Sequence, residues 1–278
     1  MSPRAVRSIA LLVLAAWLAA PARSEPAADP GWSFTVAPYL WLFNLKGDVG
    51  AAGRESAVDT SLFDLVENKD SVIGLQANLQ ARNGPWTLLV DPTWLRVRDD
   101  FDAGGDLASV DGDISGDVFF ADLMVLREVW RLPFGEPVVE KGMQQPAASL
   151  DLLGGVRVWV VSTDLDLQVS IPDPVLDGLE RSFSETKSWA DPVLGARATL
   201  DLGDRLHLIA RGDIGGFHIA SDLTSEMWTS LVLDFGLFGH DAFAALGYRA
   251  IYLDYDDDGG FLLQGWLHGP TLGVGVRF

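Results

Sequence analysis

Four arginines constrain this chain more than anything else in it. Arg157, Arg197, Arg211 and Arg249 each sit inside a stretch that alternates between apolar and small or polar residues, and each falls on the parity opposite the main apolar residues. Around the first, Leu152, Val156, Val158 and Val160 take one parity, and Asp151, Gly155, Arg157 and Trp159 the other. Successive side chains of a strand point to opposite faces, so such stretches read as strands with two chemically different sides. The last runs to the end of the chain. Pro270, Leu272, Val274 and Val276 share one face, Gly269, Thr271, Gly273, Gly275 and Arg277 the other, and Phe278 closes it.

Such strands suit a soluble barrel with its apolar face inward or a membrane barrel with its apolar face outward. An arginine facing lipid near the bilayer midplane costs about 2–4 kcal/mol, so four would cost on the order of 8–16 kcal/mol. That rivals the stability of a whole domain. In a membrane barrel the four must therefore point into the lumen. Asp91, Asp151, Asp191, Asp201, Asp213 and Asp234 lie on the same inward parity. Glycines at 155, 195, 215, 247, 273 and 275 are expected to leave room for these long side chains. Trp32, Trp86, Tyr252, Trp266 and Phe278, near strand ends, fit interfacial girdles. A soluble β protein is the alternative.

Composition agrees with export and a membrane barrel. Arg4 and Arg7 precede an apolar run from Ile9 to Ala20, and Ala22-Arg23-Ser24 offers small residues at a cleavage site, so residues 1–24 read as a secretory signal peptide. Its removal deletes three arginines and takes the formal charge from −19 to −22. No later segment approaches the ~20 apolar residues of a spanning helix, whereas a spanning strand needs only ~9–11. The chain is 48% hydrophobic and has no cysteine, which removes disulfides and thiolate metal sites. The acidic balance argues against nucleic acid as a partner, since that binding needs a basic footprint.

Residues 25–278 read as a single domain, an all-β, antiparallel, up-and-down transmembrane barrel of about ten strands, with eight or twelve as alternatives. The first strand, 32–44, places Phe34, Val36, Pro38, Leu40 and Leu42 outside, with Tyr39 and Trp41 inside; Pro38 has no N–H and calls for an irregular pairing. Residues 46–59 read as a loop or short hairpin, and 60–70 as one short helix in an N-terminal loop, with Leu62, Leu65 and Val66 on one face. Strands at 72–82 and from Trp86 flank an Asn83-Gly84 hairpin signal. Residues 99–113 read as an acidic loop, 114–132 as a strand carrying Asp122 and Glu128 on one parity, 133–149 as a connection, and 169–187 as a loop. Thereafter strands run at about 189–202, 205–219, 224–237, 242–256 and 262–278. A three-residue turn, Gly203-Asp204-Arg205, would set Asp201 opposite His207 and Arg197 opposite Arg211, with Asp213 diagonal to Arg197.

The stretches APYLWLFNLKGDVG, SWADPVLGARATLDLGDRLHLIARGDIGGFHIASD, ALGYRAIYLDYDDDGG and LHGPTLGVGVRF resemble a family of proteobacterial outer-membrane β-barrels described mostly as uncharacterised or hypothetical outer-membrane proteins. The resemblance covers most of the exported chain. It implies the outer membrane of a Gram-negative bacterium as location, outer-membrane lipid and lipopolysaccharide as surroundings, and the barrel-assembly machinery as partner during insertion. It implies no catalytic residues and no cofactor.

The expected lumen charge network is Asp151, Arg157, Arg197, Asp201, His207, Arg211, Asp213 and Arg249. Asp254, Asp256 and Asp258, followed by Gly259, match the opening of a calcium-binding loop. The twelfth position is Gly265 where a bidentate Glu is needed, so a solvated acidic turn competes with a Ca²⁺ site. The acids between Asp99 and Asp113 could share such cations. His207 near Asp201 hints at acid–base chemistry, but no nucleophile, zinc or phosphate motif accompanies it, so no enzyme is expected. Tyr39, Trp41, Trp159 and Trp228, all inward, pack the barrel or stack a ligand. A narrow channel or small-solute binder is the leading expectation. A plugged structural or adhesive barrel comes next, and an outer-membrane enzyme third.

Overall fold

The computed structural model describes residues 31–51, 54–61, 71–105, 108–134, 146–170, 179–257 and 261–278. The strands are β1 (Ser33–Trp41), β2 (Asn44–Ala51), β3 (Arg54–Ser61), β4 (Ser71–Asn83), β5 (Trp86–Gly105), β6 (Ala108–Pro133), β7 (Ala147–Ser170), β8 (Leu179–Asp201), β9 (Leu206–Gly215), β10 (Leu223–Leu237), β11 (His240–Asp256) and β12 (Leu262–Arg277). β1 and β4 to β12 pair antiparallel with their neighbours, and β1 pairs with β12, closing a ten-stranded barrel. At the seam Phe34 and Phe278 exchange backbone hydrogen bonds of 2.9 and 3.1 Å, so both ends of the described chain lie at one mouth. β2 continues the line of β1 beside β12, and β3 is one extra strand hydrogen-bonded to β2.

Alternation dictates which face meets which medium. Leu75, Leu231, Leu246, Leu272 and Val274 stand exposed on the outer wall, Leu246 and Leu272 as direct cross-strand partners. Inward neighbours such as Gln76, Asp91, Thr224 and Thr271 are buried. Trp266 and Phe278, both outward, are twelve residues apart on one strand line. At ~3.3 Å per residue and a tilt near 40° this is about 30 Å along the barrel axis, the height of an apolar band with its aromatic girdles.

Turn chemistry fixes the register at the mouth holding the chain ends. Gly84, at φ 56°, opens the two-residue turn between Asn83 and Trp86, a place for a residue without Cβ. Leu202 and Leu206 bracket a three-residue turn, with Asp201 opposite His207 and Arg197 opposite Arg211, as the parity argument requires. Pro38 keeps the register unchanged; its ladder to β12 is merely interrupted between Val36 and Tyr39.

Several expectations fail for identifiable reasons. The acidic stretch 99–113 is mostly strand, because the β5–β6 ladder runs on through Asp100 opposite Asp113 to Gly105 opposite Ala108. Likewise 179–187 belongs to β8, paired with β7 as far as Val169 opposite Leu179. Charge marks solvent exposure, and a hairpin standing clear of the membrane satisfies its backbone without an apolar face. The predicted helix 60–70 begins inside β3 at Thr60 and Ser61, and its remainder, like residues 1–24, lies outside the described residues. The lumen glycines make room for side chains at some positions, Tyr39 beside Gly273 and Phe243 beside Gly275, and for backbone at others. A Cβ at Gly155 would meet Leu123 O at 2.1 Å, and one at Gly195 would meet Gly212 O at 2.1 Å, so at these positions the neighbouring backbone is what needs glycine.

Candidate functional site

The lumen has three layers. The middle one is ionic. Arg157 from β7 donates to both oxygens of Asp122 on β6 (2.7 and 3.4 Å), to Asp213 on β9 (3.2 Å), and to Glu226 (2.6 Å) and Thr224 (3.2 Å) on β10. Arg249 from β11 donates to Glu226 (3.1 and 3.2 Å), to Asp91 on β5 (3.3 Å) and to the Tyr39 hydroxyl (2.5 Å). Arg211 from β9 donates through Nη2 to Asp122 (2.9 Å) and Glu226. Asp91 and Asp122 are direct cross-strand partners, an arrangement of like charges that is unfavourable alone. Guanidinium groups from the opposite wall hold it together, with Arg249 reaching both carboxylates. Asp91 also accepts from Tyr39 (2.7 Å) and Asn78 (2.6 Å).

Aromatic rings form the layer on the far side from the chain ends. Trp41, Phe120, Trp159 and Trp189 pack in sequence, with centroids 6.3, 4.6 and 5.9 Å apart, and Tyr255 stacks on Trp189 at 3.9 Å. The Arg249 guanidinium lies 5.0 Å from the Trp41 and Trp228 rings and 5.3 Å from Phe120, so cation and rings are one packing unit. Arg157, Arg249, Phe120 and Trp159 have zero exposure. The lumen is filled at this height.

The third layer is open. A vestibule of about 990 Å³ faces the mouth that holds the chain ends, with Tyr39, Trp228 and Arg211 among the residues lining it. Arg197 lies on its wall, bonded to Asp151 (2.8 Å) and Gln80 (3.0 Å). His207 sits between Asp201 (2.8 Å) and Asp234 (3.0 Å), and Arg277 also reaches Asp234 (2.9 Å). Asp201 further accepts the Ala147 N–H at 2.8 Å.

The eight lumen residues named from sequence therefore divide. Arg157, Arg211, Arg249 and Asp213 meet in the ionic layer. Asp151 with Arg197, and Asp201 with His207, form separate pairs, of which Arg197, Asp201 and His207 line the vestibule. The expected diagonal from Asp213 to Arg197 is replaced. Arg197 bonds Asp151, its direct partner across the β7–β8 ladder, while Asp213 bonds Arg157. Sequence reasoning missed Glu226, which with Asp122 is an acceptor shared by all three buried arginines. It lies two residues from Trp228 and eight from Asp234, on the same parity, so the signal was present.

Asp254 pairs with Gln264 in the β11–β12 ladder and Asp256 with Leu262, so the stretch is a hairpin here. Asp258 lies outside the described residues. Asp257 bonds Lys187 at 2.6 Å and accepts the Phe261 N–H. Among the described residues no three His, Cys, Asp or Glu side chains converge on a metal position.

No family model matches the chain, and no curated protein matches it. Several solved structures align with the chain. The outer-membrane protease OmpT of Escherichia coli aligns over 92% of this chain and 99% of its own at 8% identity and a TM-score of 0.48. The attachment invasion locus protein Ail of Yersinia pestis aligns over 89% and 99% at 12% identity and 0.30. A FadL homologue of Pseudomonas aeruginosa aligns over 89% of each chain at 10% identity and 0.27. At these values the likeness says nothing about activity; the barrel itself rests on the strand pairing above.

Proposed function

We propose that the chain is an outer-membrane barrel closed to conduction, which works at its two open faces. The observation that carries this reading is the filled mid-lumen, where guanidinium groups of zero exposure reach across from opposite walls and buried rings pack against them. It favours a plugged barrel over a channel. The outer-membrane location is supported by the belt of outward leucines and valines between aromatic girdles and by inward arginines. The mouth with the chain ends and tight turns faces the periplasm. The other face carries the hairpins of β5 to β8. β6 alone has 26 residues, well beyond the ~9–11 a crossing needs, and so offers a surface for structural or adhesive contacts. Lipopolysaccharide surrounds this face, and the barrel-assembly machinery inserts the chain. The reading assigns no catalysis, since both nitrogens of His207 are taken up by carboxylates in the vestibule wall.

Planar-bilayer recording tests closure. The purified full chain is expected to give no current steps in potassium chloride. Reproducible unitary steps would refute a closed lumen.

A further inference from the structure

The vestibule combines features that the closed-lumen reading does not require. Its floor carries one cation with unused donors. Arg211 spends Nη2 on Asp122 and Glu226, while its Nε and Nη1 are buried with no acceptor among protein atoms. A guanidinium has five N–H groups, and three of them are on these two nitrogens. Buried donors are almost always satisfied, so this set marks a place where an acceptor from outside the protein belongs. Beside it lie apolar surfaces. Trp228 and Tyr39 pack at 5.0 Å, Arg211 rests 5.5 Å over the Trp228 ring, and Phe243 faces the same space.

Charge is also segregated. The chain as a whole carries −19. The vestibule is lined by Arg82, Arg131, Arg197, Arg205, Arg211 and Arg277. Its four lining acidic side chains are Asp201, Asp204, Asp234 and Asp241, so the lining side chains sum to +2. Glu128 and Asp151, which partner Arg82 and Arg197, are not among the lining residues. Two of the acids are already engaged, Asp201 by His207 and Asp234 by His207 and Arg277. Asp234 has one unpartnered oxygen, but it lies six residues along β10 from Trp228, roughly 20 Å at strand spacing, and belongs to the mouth.

We infer that the vestibule binds a small organic anion, a carboxylate on a flat apolar body, with the carboxylate against Arg211 and the body against Tyr39 and Trp228. Its volume of about 990 Å³ suits a small organic solute, as do mixed aromatic and polar walls. The inference rests on the closed-lumen reading, because an open pore would make these residues a passage. It goes further in naming what the inner face holds.

Benzoate is the probe, with benzylamine as a cation on the same ring and inorganic phosphate as an anion without one. Isothermal titration of the full chain in detergent micelles, read alongside tryptophan fluorescence, is expected to show one saturable benzoate site. Benzylamine and phosphate should bind about tenfold more weakly or worse. Arg211 belongs to the ionic layer, so a substitution there risks the fold. Thr199 lines the vestibule two residues nearer the mouth than Arg197 and is a safer handle. Thr199→Glu should weaken benzoate about tenfold and Thr199→Lys should strengthen it, both keeping the native barrel's mobility on unheated gels. Benzylamine binding as tightly as benzoate, or folded Thr199→Glu binding benzoate unchanged, would overturn the inference. So would the absence of saturable benzoate heat in a protein that passes no current, a result that leaves the closed lumen standing.

Discussion

Replacing Glu226 by glutamine tests whether the ionic layer holds the barrel together. The side chain keeps its shape and loses its charge. In the native protein it accepts from Arg157 at 2.6 Å, from Arg249 at 3.1 and 3.2 Å, and from Arg211. Hydrogen bonds to charged groups contribute about 1.5–3 kcal/mol each. Glutamine retains one acceptor oxygen, but its amide turns two donors toward guanidinium donors, so at least two of the four bonds go. Three arginines then share one carboxylate fewer in a buried site. Removing one partner of a buried ionic group costs about 3–5 kcal/mol, which is roughly two to four decades in the folding equilibrium. Equilibrium urea unfolding in lipid vesicles, followed by tryptophan fluorescence, measures this directly. Asp117→Asn is the comparison. Asp117 pairs with Arg96 at 2.8 Å where both side chains are partly exposed, and its loss should cost less than about 1 kcal/mol. If Glu226→Gln cost no more than Asp117→Asn, the cross-lumen network would be filler and the reasoning for a held-shut barrel would fail.

Further outcomes follow from the same geometry. Leu246→Arg, at a position 60% exposed on the outer wall, should destabilise the vesicle-inserted barrel by about 2–4 kcal/mol, while Thr199→Arg in the vestibule should stay within about 1 kcal/mol; the same urea titration reads both, and equal costs would mean that the outer wall does not meet lipid. Gly195→Ala puts a Cβ 2.1 Å from Gly212 O and 2.7 Å from the Asp213 Cα, so β8 and β9 must part, at a cost of about 1–3 kcal/mol. Gly236→Ala meets nothing within 4 Å and should be nearly silent by the same measurement.

The fold was legible because each strand carries its own two-faced label. The parity of Arg197 and Arg211 fixed an odd-residue turn, and the ladder obeys it. The outer wall was legible for the same reason, as Leu272 and Val274 show. The strands above the membrane were harder to read. From Asp99 to Asp113 neither face need be apolar, so a hairpin and a loop have the same composition there. The charged site was legible as a set of inward residues and illegible as a set of pairs. Parity says which way a side chain points around the barrel, but not whether it tilts toward one mouth or the other. Arg197 and Arg211 stand directly opposite, yet one bonds Asp151 on the adjoining strand and the other reaches Asp122 three strands away. Ties that cross the lumen depend on barrel diameter and strand stagger, which alternation along a single strand does not encode. The Arg157–Glu226 and Arg249–Asp91 contacts are of this kind.

Why the lumen is closed with ions when it could be closed with leucines follows from register. A membrane barrel must be apolar outside. If it were apolar inside as well, both faces of every strand would be alike, and a slip of one residue would cost little. Here a slip of β7 past β8 would turn Arg157 and Asp151, or their partners Asp191 and Arg197, toward lipid together. Ten strands also leave a bore too wide for short aliphatic side chains, since barrel diameter grows with strand number. Arginine, glutamate and tryptophan have the reach to meet in the middle. The ionic layer thus fills the bore and makes each strand unable to invert, and the aromatic layer beside it excludes the water that would weaken the ion pairs. A barrel that uses its long charged side chains in this way has none left to line a pore at that height, which leaves the vestibule at one mouth and the hairpins at the other as the surfaces free to meet something else.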